Sequence, residues 1–365
     1  PEDNEIIPPS TIVSEWAGIL SECTGKQPDE IIQKEPLTGF SPSSYDNRPA
    51  YSGRYLNALK KMTEDEGVSG LISTASLQLP EEENHISTDD LIRFFKNPMQ
   101  YFINARFGSI LREEDAEKEE FSLDHLELHL LMQKVFHWVL AEEKRVTIQK
   151  RLSLSGILPD GWPGKKMVDE MIHACSASIA VLEQQKITPA NHYREITVYS
   201  GNTEITGHLS SYSNERMVDV NLSKPAGRIL IQSWVKHILW NVAEGKQESY
   251  LICNIKKGEP SLFRFKIPEN PDELLSGLIT LFKSGFTEPI PFFPDTLDEY
   301  LNAKTVEKGL EKASKAFEGG FYHGERDHQA IKILMGPEVP FDESFMKPEF
   351  LKMMSEMRNY TGEVS

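Results

Sequence analysis

The sequence predicts an α/β (α+β) protein, with helices first, then a mixed sheet, then helices again. Three observations predict it. Between 88 and 186 apolar residues recur at helical spacing, as in Leu91, Phe94, Phe95, Phe102, Ile103 and Phe107. Short runs with strand character, separated by polar turns, follow between 193 and 267. Beyond 270 the chain reads mostly as helix, at 271–284, 296–318, 326–335 and 342–359. Its 365 residues suffice for two or three domains and a sizeable core.

Residues 1–50 are rich in Pro and Ser, with one amphipathic helix near 10–22. Ser41-Pro42-Ser43-Ser44 and Asn47-Arg48-Pro49 read as an extended connector, followed by a short helix over 51–62. Glu81-Glu82-Glu83 marks a boundary. Ser87-Thr88-Asp89-Asp90 reads as a capping box, and Pro98 breaks or kinks the helix it opens. The acidic run from Arg112 to Glu120 reads as a solvated loop, with an electrostatic partner site as the alternative. Helices at 123–143 and 165–186 come next. Strands are expected at 193–200, 203–210 and 216–222, the last two joined as a hairpin through Ser213-Asn214-Glu215. A helix with Ile231, Trp234, Val235 and Ile238 follows. The strands YLICNI and SLFRFKI then flank a turn at Lys257-Gly258-Glu259-Pro260.

Charge limits the functions. The chain has 39 Lys+Arg against 56 Asp+Glu, a net charge of −17, which opposes tight autonomous binding to nucleic acid. A local basic stripe is compatible with that total. Its candidates are Arg93, Lys96 and Arg106 on the polar side of the first core helix, and Lys165 and Lys166 after Gly161-Trp162-Pro163-Gly164. The plainer reading gives these five side chains to solubility and to a solvated helix end. Cys23, Cys175 and Cys253 have no metal-site spacing and read as buried thiols in a reducing, cytoplasmic compartment. No apolar run is long enough to span a bilayer. The first residues are no signal peptide, and without a leading Met the chain reads as a fragment of a longer one. There is no Walker A sequence, and the ten histidines are too scattered to argue a nucleophilic triad. His323 and His328, with Asp327 between, could bind a metal, but a surface loop is the commoner explanation.

Five stretches occur in a telling order: TDDLIRFFKNPMQYFINARFG, FSLDHLELHLLMQKVF, GILPDGWPG, GHLSSYSNERMVDVNLSK and GRILIQSWVKHILW. Together they resemble the nuclease-like modules of bacterial recombination helicase–nucleases. Over essentially the whole chain the order is similar to the C-terminal third of the RecC family, the gamma subunits of exodeoxyribonuclease V. The resemblance implies a restriction-endonuclease-like mixed sheet flanked by helices, with additional helical segments. It implies three parts: 1–80 as the tail of a helicase-like region and connector, 81–270 as the nuclease-like domain, and 271–365 as a helical part packed on it. It implies a non-catalytic scaffold and DNA-handling role in a RecBCD-type complex for double-strand-break repair and recombination. The implied partners are RecB and RecD, with DNA held in the complex, no membrane, and no cofactor of its own.

An active PD-(D/E)XK module of this kind holds Mg²⁺ with a His and two carboxylates, and a Lys positions the attacking water. Carried over position by position, the His falls on Gln133. The first Asp falls on Ser210, three residues after Gly207; the second on Asp219; the Lys on Asn221. Only Asp219 keeps its chemistry, so the resemblance implies a disarmed nuclease whose four positions converge, with Gln133 facing the hairpin. An active Mg²⁺-dependent DNase is the rival reading, and a plain α/β interaction domain the third. Glu195, Glu204 and Glu215 could rebuild a site, but strand alternation sends odd and even positions to opposite faces. On its own, Asp219 reads as a satisfied polar residue at a sheet edge. The segment with Phe286, Pro291, Phe292, Phe293 and Pro294 is either an apolar partner patch or an ordered linker over its own domain.

Overall fold

Ser10 and Gly25 bracket the first helix, α1 (Thr11–Thr24). The Ser10 hydroxyl accepts the Val13 N–H, and Gly25 closes the helix at φ 67°. A short α2 (Pro28–Ile31) follows. Cys23 is exposed, unlike the buried thiol expected, while Cys175 and Cys253 are buried. The computed structural model describes residues 10–31, 84–108, 125–159, 161–255, 259–320 and 323–364. It falls into two units, Pro1–Ser69 and Gly70–Ser365. The connector at 41–49, the helix at 51–62, the boundary at 81–83 and the acidic run at 112–120 lie outside the described residues.

In the second unit β1 (His85–Ser87) runs straight into α3 (Thr88–Lys96). Ser87 caps α3 as its sequence predicts: its Oγ accepts the Asp90 N–H at 3.0 Å and donates to Asp90 Oδ2 at 2.7 Å. The residue before a proline avoids the helical region, so α3 stops at Asn97. The Asn97 carboxamide then caps α4 (Pro98–Phe107) through the Gln100 N–H. Three helices follow, α5 (His125–Leu140), α6 (Arg145–Leu154) and α7 (Trp162–Gln184). The short α6 escapes sequence reading because it buries only Ile148 and Leu152.

The strands are β2 (Pro189–Ser200), β3 (Thr203–Ser213) and β4 (Val218–Val220). Then come α8 (Gly227–Glu244), β5 (Ser249–Cys253) and β6 (Ser261–Phe265). They form two sheets, β1-β3-β2 and β4-β5-β6 with a final β7 (Thr361–Val364) at its edge. The expected hairpin is corrected here. Among the described residues no ladder joins β3 to β4: β3 pairs with β1 and β2, and β4 pairs in parallel with β5 through the α8 crossover. Ser211 takes over what the ladder would have supplied. Its Oγ accepts the N–H of Val218 at 3.0 Å and of Ser213 at 3.2 Å.

All five residues of β5 are buried, because helices cover both faces. Leu251 and Cys253 face a core shared with α3 and α8 and with two later helices, α9 (Pro271–Thr287) and α13 (Pro348–Tyr360). Tyr250 and Ile252 face α5, α6 and α7. Phe94 and Phe95 are fully buried in the first core, worth about 1.5–3 kcal/mol each. The aromatic stripe of α3 is therefore core. The helix expected at 296–318 is two, α10 (Pro294–Leu301) and α11 (Val306–Glu318), with Thr305 capping the second. After α11 comes the short α12 (Gln329–Met335). Phe292 and Phe293 are buried, and Phe292 stacks on Phe350 at 4.6 Å. That segment is thus an ordered linker and no partner patch. No helix among the described residues is long and apolar enough to cross a membrane.

Two positions carry predictions. Gly207 sits at φ 151°, and a Cβ there would lie 2.1 Å from Thr88 Oγ1, so β3 can approach α3 only without a side chain. Gly207→Ala is expected to lose about 2–4 kcal/mol in urea unfolding. His237 is fully buried; its Nδ1 faces the Ser249 hydroxyl at 2.7 Å and its Nε2 faces the Lys266 carbonyl at 3.2 Å. Burial pushes the imidazole from 6.5 down to about 4, against the Lys266 bond that raises it. As pH falls the unfolded chain takes up this proton first. The stability present above pH 6.5 is therefore lost between 6.5 and 4, by up to about 3 kcal/mol. Unfolding measured across that range should show a flatter slope in His237→Gln.

Candidate functional site

The crossover β4-α8-β5 lays α8 back over β4. Ser233 and Lys236 are one turn apart on α8 and therefore meet the same strand residue. That residue is Asp219. Its Oδ1 accepts from Lys236 Nζ at 2.8 Å and from the Val220 N–H at 3.1 Å, and its Oδ2 accepts from Ser233 Oγ at 2.5 Å. The two charged side chains are 10% and 21% exposed, so this ion pair is mostly removed from water. Tyr212 on β3 and Cys253 on β5 complete the surroundings. Burial, and then the Asp219 charge, push the Cys253 thiol up to about 12. Burial, Tyr193 and Asp219 do the same to the Tyr212 phenol.

The other positions singled out in the sequence have their own settings, and among the described residues no contact of Gln133 with the Asp219–Lys236 pair is seen. Ser210 is half-buried opposite Tyr193, on the same face of β3 as Tyr212. Asn221 ends β4: its N–H reaches the Ile252 carbonyl, and its Oδ1 accepts the Ser223 N–H at 3.0 Å. Gln133 is exposed on α5, whereas Phe136 and His137 of the same helix meet the Tyr212 ring at 5.3 and 5.7 Å. Glu204 is engaged by Tyr199 and His85, and Glu195 and Glu215 are exposed.

Mg²⁺ needs several oxygen ligands in near-octahedral array. At Asp219 both carboxylate oxygens are already taken, and the neutralising charge comes from an ammonium group. The residues present do not fit the metal. Among the described residues no three His, Cys, Asp or Glu side chains come together to hold one. His323 pairs loosely with Asp327 at 3.5 Å, while His328 caps α12.

The basic candidates fall in two places. Arg93 and Lys96 lie in the last turn of α3 and Arg106 in the last turn of α4. Lys165 and Lys166 lie in the first turn of α7, where Lys166 sits over the exposed Trp162 ring and pairs with Glu170. Sequence reading missed Ser233 and Lys236. Their i, i+3 spacing was visible, but the register of α8 over β4 was not. Gln232 and His237 on the same helix bond instead to the Arg228 carbonyl and to Ser249.

The RecC C-terminal domain family model matches residues 83–305, more than half of the chain. Among curated proteins the chain is 21% identical over 296 residues to the RecBCD enzyme subunit RecC of Mycolicibacterium smegmatis. That match covers 78% of this chain and 27% of the relative. It is 20% identical over 257 residues to the RecC subunit of Haemophilus influenzae, covering 66% and 22%. The RecC subunit of Buchnera aphidicola subsp. Schizaphis graminum is 25% identical over 201 residues, covering 54% and 19%. The matches thus span about a quarter of the length of these relatives.

Removing one member of a buried ion pair strands the other. Lys236→Met is expected to cost about 3–5 kcal/mol in chemical denaturation, and the double change Asp219→Leu with Lys236→Met to recover most of it. Additive losses in this cycle would mean that the two side chains do not act as a pair.

Proposed function

The chain belongs to the RecC C-terminal domain family, and from that premise we propose that it is the non-catalytic scaffold and DNA-handling part of a RecBCD-type helicase–nuclease. Its setting is double-strand-break repair and recombination in the cytoplasm. The relatives' printed names, RecBCD enzyme subunit RecC, support this role and point to RecB and RecD as partners. In this reading residues 81–270 are a restriction-endonuclease-like domain that has lost its chemistry, with 271–365 packed on it and 1–80 leading in from a helicase-like region. Gln133, Ser210, Asp219 and Asn221 stand where an active module keeps its His, two carboxylates and Lys. Arg93, Lys96, Arg106, Lys165 and Lys166 remain proposed contacts to DNA.

One observation carries the non-catalytic part: the Lys236 ammonium sits 2.8 Å from the one retained strand carboxylate. The ammonium neutralises that carboxylate, and with the Ser233 hydroxyl and the Val220 N–H it occupies both of its oxygens. Fold and chemistry are separable, so the module can keep its shape for assembly after its metal ligands have gone. The chain's net charge of −17 fits a part that meets DNA only alongside partners able to supply positive charge.

The purified chain, incubated with linear duplex or single-stranded DNA in Mg²⁺ or Mn²⁺, is expected to leave the DNA intact. Cleavage abolished by Asp219→Ala would reverse the assignment. Co-expression of the full-length subunit with its RecB and RecD counterparts is expected to yield one complex by size exclusion, and failure to co-elute would remove the scaffold role.

A further inference from the structure

A recess of about 530 Å³ opens between α3, α4 and the start of α10. Arg93 and Lys96 line it from α3, Gln100 and Asn104 from α4, and Arg228 from the first turn of α8. Arginines elsewhere in this acidic chain have found carboxylates: Arg145 holds Asp169, Arg194 holds Glu244 and Arg358 holds Asp298. Lys96 has not. It makes no hydrogen bond or ion pair with any described residue. Lys96 is exposed at the recess; partial desolvation there, and then repulsion from the Arg228 guanidinium, pull its ammonium below the ordinary lysine value. Arg93 reaches its own carboxylate, Asp90, only at 3.9 Å.

The opposite wall does not cancel this charge. Asp295 is committed to Arg228, accepting from Nη1 at 2.6 Å and from the backbone N–H at 2.8 Å. Glu325 accepts the Asp295 N–H and both the N–H and hydroxyl of Thr296. Burial and the nearby Asp295 hold its carboxyl well above the usual carboxylate range. His328 uses Nδ1 to accept the Ala330 N–H at the start of α12. The recess therefore presents cations and carboxamide donors, and the one carboxyl that lines it, Glu325, is already engaged by Asp295 and Thr296.

We propose that this recess binds a phosphate group, held by Lys96 with Arg93 and Arg228 beside it. Phosphate is small enough for the space, and its several oxygens, set apart in direction, can meet an ammonium and guanidinium groups at once. Taking it from the backbone of a DNA strand rests on the role proposed above; a free phosphate is the other source of the same chemistry.

The test separates these. Inorganic phosphate should raise the melting temperature of the purified chain above that in sodium chloride of equal ionic strength. Lys96→Arg should keep this increment and Lys96→Met lose it, while Lys150→Met, which removes the same charge at an exposed position of α6, should keep it. In the assembled complex Lys96→Met should weaken binding of a single-stranded oligonucleotide about tenfold and lower the salt slope by about one, with co-elution of the partners unchanged. An increment equal in Lys96→Met and the parent, or none beyond chloride in the parent, overturns the site. An increment lost in Lys96→Met with oligonucleotide binding unchanged supports the site and assigns it to free phosphate. Loss of co-elution in the parent complex bears on the scaffold role and leaves the phosphate result standing.

Discussion

The second unit depends on one crossover. The three residues of β4 pair in parallel with β5, and a parallel pair has to be joined by a long excursion. Here that excursion is α8, and twelve of its eighteen residues are buried, from Gly227 to Asn241. A helix buried on so many sides must be met by neighbours all round it, and α3, α9, α10 and α13 are those neighbours. Gly227 sets the closest of these approaches: a Cβ there would lie 2.1 Å from the Pro294 carbonyl. Because α8 is fixed in this way, the polar groups it carries into the interior must be satisfied from fixed directions. Ser233 and Lys236 are satisfied by Asp219, and His237 and Asn241 by the strand β5 and the turn before it.

The same crossover accounts for the setting of Asp219. A lone carboxylate on a buried strand requires a counter-charge. A metal ion could supply it in an active enzyme; here a lysine two turns inside the next helix supplies it permanently. This arrangement neutralises the charge without any diffusible partner. It also makes the carboxylate structural, so that it belongs to the packing of α8 more than to a surface open to substrate.

Much of this architecture was legible in the sequence. The Ser87 cap, the interruption at Asn97-Pro98 and the apolar run of β5 are local signals, and each appears where local physics puts it. What failed was whatever depended on partners distant in the chain. β3 and β4 are adjacent in sequence and look like a hairpin, yet they lie in different sheets, and the Ser211 hydroxyl takes the Val218 N–H that a ladder would have paired. The strand β7 is the weak sequence TGEV, held only because β6 offers it an edge. The break between α10 and α11 is marked by no proline, and only Thr305 as a cap could have suggested it. At the candidate site Gln133, Ser210 and Asn221 were singled out by the resemblance alone. The Lys236–Asp219 bond could not, since seventeen residues and a helical register separate its ends.

The three thiols divide this molecule's surface chemistry very unevenly. Cys175 and Cys253 are fully buried, and burial raises both to about 12, so neither offers a thiolate to a reagent in the folded state. Cys23 alone is open to solvent, on the last turn of α1. A maleimide dye is thereby directed to a single address without any engineering of the sequence. The number of labels per chain then distinguishes intact molecules from damaged ones, one against three. The same address gives a fluorescent or spin probe a unique anchor in the first unit.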